Sequence, residues 1–172
     1  MAYPHFIAID ASSYEEEAHP IAIAWSMTDG RIKTTLIQPD DGWEDWDYAL
    51  EDIHGISQDT LYQRGETAWS VVRELENDLE QTYLMTEEAD RTEMLLDKIY
   101  DACGRELSLE VGEYSEEISD QQALSEATDQ LYHQQLTCDE RVLVMLQVWA
   151  REHGVQMVTE DPEEEDEDKL EG

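Results

Sequence analysis

Residues 5–37 hold three strand-like runs with little chain between them, and this spacing dictates how the fold must begin. His5–Asp10 is a short apolar run with β-branched residues, long enough for a buried strand. Pro20–Met27 is a second. Thr28-Asp29-Gly30 follows, and Asp-Gly between two such runs signals a tight hairpin. Arg31–Ile37 alternates as a third strand, and Pro39 ends it. Three strands from one continuous segment imply an antiparallel meander. Ser12–Ala18, with three consecutive glutamates, reads as a polar loop.

The rest of the chain changes period. Residues 40–52 carry Trp43, Trp46 and Tyr48 among acids and read as a loop with a short helix. Ser57 is placed to cap a helical turn running through Leu61. Glu66–Leu79 sets Trp69, Val72, Leu75 and Leu79 at helical spacing, which predicts an amphipathic helix with those residues inward. Thr82–Met85 predicts a short strand. Ala89–Cys103 predicts a helix with Met94, Leu95, Ile99 and Ala102 inward, closed by Gly104. Leu107–Val111 predicts another strand. Glu117–Gln134 and Asp139–His153 predict two more helices, the second apolar through Val142, Met145, Leu146 and Trp149. We expect one domain over 1–155 and an acidic disordered tail over 156–172, because the Asp/Glu run there cannot bury enough apolar surface to order itself.

The order β-β-β-α-β-α-β-α-α, with Ile53-His54-Gly55-Ile56-Ser57 and then Leu61 and Gly65 behind the third strand, resembles the DEDD 3′–5′ exonuclease family. The match runs over roughly residues 5–152. It implies an α/β domain of ribonuclease H-like fold, a mixed five-stranded sheet flanked by helices. In this motif Gly55 permits a turn, and His54 reads as a turn histidine rather than a ligand.

The resemblance also implies a site. Such enzymes set four carboxylates around two divalent ions about 3.5–4 Å apart, with a histidine as general base in one subclass. Asp10 matches the first carboxylate, but Ser12 stands where a Glu should follow. Counting back from Gly104, the second carboxylate position falls on Thr92, with Glu88 and Asp90 as displaced alternatives. In Tyr132–Arg141, His133 matches the general base and Leu136 a leucine of the motif. The metal-binding Asp falls on Cys138, with Asp139 one residue late. One residue turns a helical side chain by about 100°. Hard Mg²⁺ or Mn²⁺ prefers carboxylate oxygen to a hydroxyl or a thiol. We therefore expect no metal cofactor, and Mg²⁺ or Mn²⁺ only if the site is active through Asp10, Glu88 or Asp90, and Asp139.

Charge bounds the partners. The 172 residues carry 44 acids against 10 Lys and Arg, a net charge of −34. Residues 160–172 hold nine acids and one lysine, so the remainder keeps 35 acids against nine cations, a net of −26. This pattern fits a high-salt cytoplasm, where the Debye length is short. It also fits a surface mimicking nucleic acid for a basic protein partner, or plain solubility. It argues against tight nucleic-acid binding at low salt, since phosphate affinity comes from Lys and Arg releasing counterions. No apolar run approaches the ~20 residues of a membrane span, so no membrane role is expected. Met-Ala-Tyr-Pro-His lacks the basic and apolar pattern of a secretory signal. Cys103 and Cys138 lack zinc or disulfide spacing. These features predict a cytoplasmic protein.

Three functions follow as expectations. The first is a catalytically degenerate exonuclease-like domain serving as a binding or regulatory module, its old cleft lined by Asp10, Ser12 and His133. The second is an active exonuclease with displaced carboxylates. The third is an acidic nucleic-acid mimic.

Overall fold

The computed structural model describes residues 2–155, and the expected tail at 156–172 lies outside them. Strands β1 (His5–Ala11), β2 (Pro20–Ser26) and β3 (Ile32–Leu36) form the antiparallel meander, with Ile9 opposite Ile23 and Ala24 opposite Thr34. Strand β4 (Tyr83–Thr86) adds parallel to β1, and β5 (Glu110–Glu113) parallel to β4. The sheet order is β3-β2-β1-β4-β5. Six helices surround it: α1 (Tyr48–His54), α2 (Gln58–Arg64), α3 (Ala68–Asp78), α4 (Ala89–Ala102), α5 (Gln121–His133) and α6 (Cys138–Glu152).

Strand alternation divides the core into two layers. Ile7, Ile9, Ile23 and Trp25 face α3 and α4, meeting Val71, Val72, Leu75, Leu95 and Ile99. Phe6, Ala8, Ala22 and Ala24 face the other way, under Val142, Met145 and Leu146 of α6. Small residues on that face let α6 lie close against β1 and β2, which sets where its N-terminus meets the end of β1. Asp10 continues the Phe6–Ala8 face and so emerges beneath α6.

The HGIS segment is built as its residues suggest. Gly55 adopts φ +68° and caps α1, its N–H donating to the Glu51 carbonyl. Ser57 caps α2 by accepting from the Thr60 N–H. At Gly65 a Cβ would sit 2.5 Å from the Gln38 nitrogen, so the chain passes there only because the side chain is absent.

Several expectations shift. Trp69 is 57% exposed and lies against Arg73, its ring 5.0 Å from the guanidinium carbon; Ala68 and Val71 join the expected Val72 and Leu75 on the inward face. The last strand begins at Glu110 rather than Leu107, where it pairs with Tyr83. A 3-10 turn over Tyr114–Glu117 precedes α5, and Asp120 starts that helix by accepting from the Gln122 and Ala123 N–H groups. Helix α6 begins one residue early because Thr137 is its N-cap, its N–H donating to Glu140 at 3.0 Å.

Candidate functional site

Ligands of open α/β sheets lie beyond the carboxyl ends of the parallel strands. Here β1 and β4 are parallel neighbours, so Asp10 and Glu87 come out side by side. Around them is a cleft of about 390 Å³. Its walls are the end of β1, the α1 residues Leu50, Ile53 and His54, the start of α4, and the α5–α6 connection. Tyr14, 78% exposed, and Tyr132, 53% exposed, stand at its mouth.

The centre of the cleft is an ion cluster. Arg141 Nη1 donates to Asp10 Oδ1 at 2.7 Å, and Nε donates to Glu87 Oε1 at 2.8 Å. Two backbone carbonyls complete the cage: Nη1 also donates to Leu136 O at 3.0 Å, and Nη2 to Ile9 O at 3.0 Å. The three side chains are 12–13% exposed. Burial disfavours the guanidinium charge, but the Glu87 and Asp10 carboxylates outweigh it and hold Arg141 protonated beyond its ordinary range. The other oxygens are also engaged. Asp10 Oδ2 accepts from the Cys138 N–H at 2.9 Å, at the start of α6, where the helix dipole favours an anion. Glu87 Oε2 accepts from Thr86 Oγ1 at 3.2 Å.

The other anticipated residues divide. Thr92 lines the cleft, buried, its hydroxyl 3.2 Å from that of Thr86. Glu88 lines it as well. Asp90 does not: it faces a separate acidic groove on the outer side of α4. Asp139 is turned to the Thr137 hydroxyl at 2.6 Å. Cys138 is buried under α6 near Thr34, its thiol pKa pushed up by burial and by the Asp10 charge.

Two residues expected in the cleft lie outside it. His133 is on the outer face of α5, with its side chain 73% exposed and its Nε2 3.5 Å from Asp129. One step of helical rotation puts Tyr132 at the cleft in its place. Ser12 is buried on a different network. Its hydroxyl donates to Asp45 Oδ2 at 2.7 Å and accepts from the His19 N–H at 3.0 Å. The cause is a register break between Asp10 and Ala11, which interrupts the alternation that would have aligned Ser12 with Asp10.

Two members of the site were not anticipated. Arg141 lies three residues after Cys138, hence on the same helix face, and that spacing is its sequence signal. Glu87 is the first residue after β4, one short of the Glu88 alternative. His54 belongs to the turn, as expected: its Nδ1 accepts from the Ile56 N–H at 3.1 Å. It also walls the cleft, and burial lowers its pKa against the opposing charges of Asp10 and Glu51.

The residues present do not fit a two-metal centre. Each oxygen of Asp10 and Glu87 already has a partner, and the cation between them is a guanidinium. Among the described residues no three His, Cys, Asp or Glu side chains are grouped to hold a metal ion. Nor is any helix there long and apolar enough to cross a membrane.

No protein-family model matches the chain. No curated protein matches it either. Solved structures do. Escherichia coli exonuclease I in complex with a dA16 oligonucleotide matches with a TM-score of 0.55 at 11% identity, covering 68% of this chain and 29% of that one. Exonuclease I without ligand matches at 0.55 and 11%, covering 91% and 38%. A product-bound exonuclease I matches at 0.54 and 9%, covering 94% and 40%. The chain thus spans between about three tenths and two fifths of the length of those exonucleases. At such identities the likeness is one of fold: the domain shares the ribonuclease H-like α/β fold, a mixed five-stranded sheet flanked by helices, seen in exonuclease I.

Proposed function

We propose that this domain is an exonuclease-like module that has given up catalysis and keeps its cleft for binding or regulation. The observation that carries the reading is the fate of the matched positions. Of the five, only Asp10 presents a charged oxygen at the cleft, and that oxygen is committed to Arg141. Thr92 offers a neutral hydroxyl, Ser12 and Cys138 are turned into buried networks, and His133 is on the opposite face of its helix. The matched positions offer no second carboxylate to hold a metal pair that activates water, and the matched histidine is turned away from the cleft.

A nucleic-acid strand is the first ligand to test, because exonuclease I is seen with oligonucleotides on this fold. The net charge of −34 predicts weak binding at low salt. A basic protein is the partner that the acidic surface favours.

A second reading has one observation behind it. Glu87 and Glu88 both stand beside Asp10 in the cleft. An active exonuclease using these displaced carboxylates with Mg²⁺ or Mn²⁺ is the form it takes.

One experiment separates the two. The chain is incubated with 5′-labelled single-stranded DNA and RNA in Mg²⁺ and in Mn²⁺, and the products are resolved on a gel. No shortening above background is expected. Shortening that disappears in Asp10→Ala establishes the second reading instead.

A further inference from the structure

We infer that the cleft docks a basic segment of a partner protein, anchored by one large apolar side chain that enters past Tyr14 and Tyr132. The inference rests on reading the cleft as a binding site, and it names the chemistry of the partner that fits there.

Of the seven large hydrophobic side chains exposed among the described residues, three gather at this one opening: Tyr14, Ile53 and Tyr132. On so acidic a surface, an aromatic and aliphatic rim marks contact with another molecule rather than with water. Tyrosine suits such a rim, because it offers a rigid contact area with a polar tip. Behind the rim the walls turn apolar through Leu50, Leu131 and Leu136. The charges in the lining do not oppose an apolar guest. Asp10 and Glu87 are both held by Arg141, and Arg91 is tied to the Ser13 carbonyl at 2.6 Å. A space of about 390 Å³ is at the small end of ligand pockets and suits one aromatic or long aliphatic side chain.

The collar around this opening has the opposite character. Glu15, Glu16 and Glu17 follow Tyr14 as exposed residues, Asp52 precedes Ile53, and Glu88 stands exposed beside the Tyr132 hydroxyl. Among the described residues none of these five carboxylates is in an ion pair. Free carboxylates around an apolar opening select a guest that is apolar in the middle and basic on either side. A flanking Lys or Arg can also lie over the face of a rim tyrosine. A nucleic-acid strand would bring phosphates to the same carboxylates and be repelled.

The test follows the fluorescence anisotropy of labelled lysine-rich peptides, equal in length and charge, with tryptophan, leucine or serine at the centre. A labelled oligothymidylate is measured beside them. The tryptophan peptide should bind saturably, the leucine peptide somewhat less tightly, and the serine peptide about thirtyfold more weakly than tryptophan. Raising KCl should weaken all three together and leave that ratio standing. The double variant Tyr132→Ala/Ile53→Ser changes only exposed side chains. It should weaken the tryptophan peptide about tenfold and shrink its advantage over serine. Trp69→Ala removes an exposed aromatic of α3 outside the cleft and should change nothing. Equal affinity for the three peptides overturns the inference, because the acidic surface alone then does the binding. So does the absence of saturable binding, or a tryptophan advantage that survives the double substitution in a folded variant. An oligothymidylate that binds more tightly than the tryptophan peptide and displaces it also overturns the inference. The peptide comparison on wild type decides the matter even if the double variant does not fold. Strand shortening lost in Asp10→Ala is a separate readout: it fails the degenerate reading, whereas peptide binding indifferent to the anchor fails this inference alone.

Discussion

Asp10 near the end of β1 and Ser12 just beyond it are two residues apart, both at positions that the resemblance matches to carboxylates, yet they serve opposite ends. Asp10 is one of three side chains in a buried ion cluster that joins the ends of β1 and β4 to α6. Ser12 is the centre of a mostly neutral lattice that pins the loop before α1. Its N–H donates to His19 O, its carbonyl accepts from the Asp47 N–H, and its hydroxyl joins Asp45 to His19. His19 extends the lattice through Nε2, 2.9 Å from Asp45 O, and stacks on Trp43 with centroids 5.4 Å apart. Asp47 then caps α1, which carries Leu50, Ile53 and His54 into the cleft wall. The contrast is between two ways of using a polar side chain. At Asp10 a buried charge is balanced by the Arg141 guanidinium. At Ser12 a hydroxyl has a structural use.

The comparison breaks most visibly at Arg141. Arg141→Met leaves Asp10 and Glu87 buried without a counter-charge and should cost about 3–5 kcal/mol in urea unfolding. Adding Asp10→Asn and Glu87→Gln should recover much of it, since removing a whole ion cluster is far cheaper than orphaning its members. A loss below about 1 kcal/mol for Arg141→Met would mean that water reaches the cluster freely.

Ser12→Ala should cost less, about 1–3 kcal/mol, because it strands the buried His19 N–H and removes one donor from Asp45. Ser12→Glu should not rebuild a metal site. It should destabilise by about 1–3 kcal/mol through overpacking, with no gain in Mn²⁺ binding, because position 12 faces the loop. Mn²⁺ binding by that variant would show that the register break at Asp10 relaxes and returns position 12 to the cleft.

How much of this was legible depended on distance along the chain. The meander was readable because its signals, two apolar runs around Asp29-Gly30, are local. The buried face of α6 was readable from periodicity, and Thr92 is among the residues that line the cleft. The ion cluster was not readable as such, because its partners lie 54 and 131 residues apart and only the sheet brings them together. The turn of Ser12 away from the cleft depends on a register break that no residue type announces. His133 failed for a smaller reason. A short motif fixes a helix to within a residue, and one residue changes which side chain meets the cleft.

Salt sharpens the same contrast with a smaller effect. A chain of charge −34 repels itself, so its melting temperature should rise with KCl from millimolar to molar levels. The ion cluster is 12–13% exposed and lies beyond that screening. The free-energy difference between wild type and Arg141→Met should therefore stay nearly constant while both stabilities climb. If the difference shrinks in step with ionic strength, the cluster is in contact with bulk water.

The smallest expected effect is the pH response of the Ser12 lattice. His19 is 1% exposed. Burial lowers its pKa against hydrogen bonds to the Pro20 and Asp45 carbonyls and the Asp45 charge, and Lys98 of α4 adds to the lowering. Ser12 and Ser13 of the segment after β1, and Trp43 and Trp46, make up the rest of its surroundings. A folded-state pKa below the unfolded value of about 6.5 means that protonation favours the unfolded chain. This contribution is intact above pH ~6.5 and drains away as pH falls toward the folded-state pKa, at no more than about 1.4 kcal/mol per pH unit for one proton. Asp45 is separable from it. Burial would raise its pKa, but the Ser13 and Ser12 hydroxyls and the His19 and Lys98 charges lower it, so its contribution is lost only below pH ~3.8. His54 is also lowered and shares the upper window, so each histidine is replaced singly by glutamine. Urea unfolding from pH 7.5 to 5 should show a shallower loss in His19→Gln than in wild type, with His54→Gln removing a separate share. An unchanged slope in His19→Gln would mean that His19 takes up its proton equally in the folded and unfolded chain over this range and that the lattice is indifferent to acid.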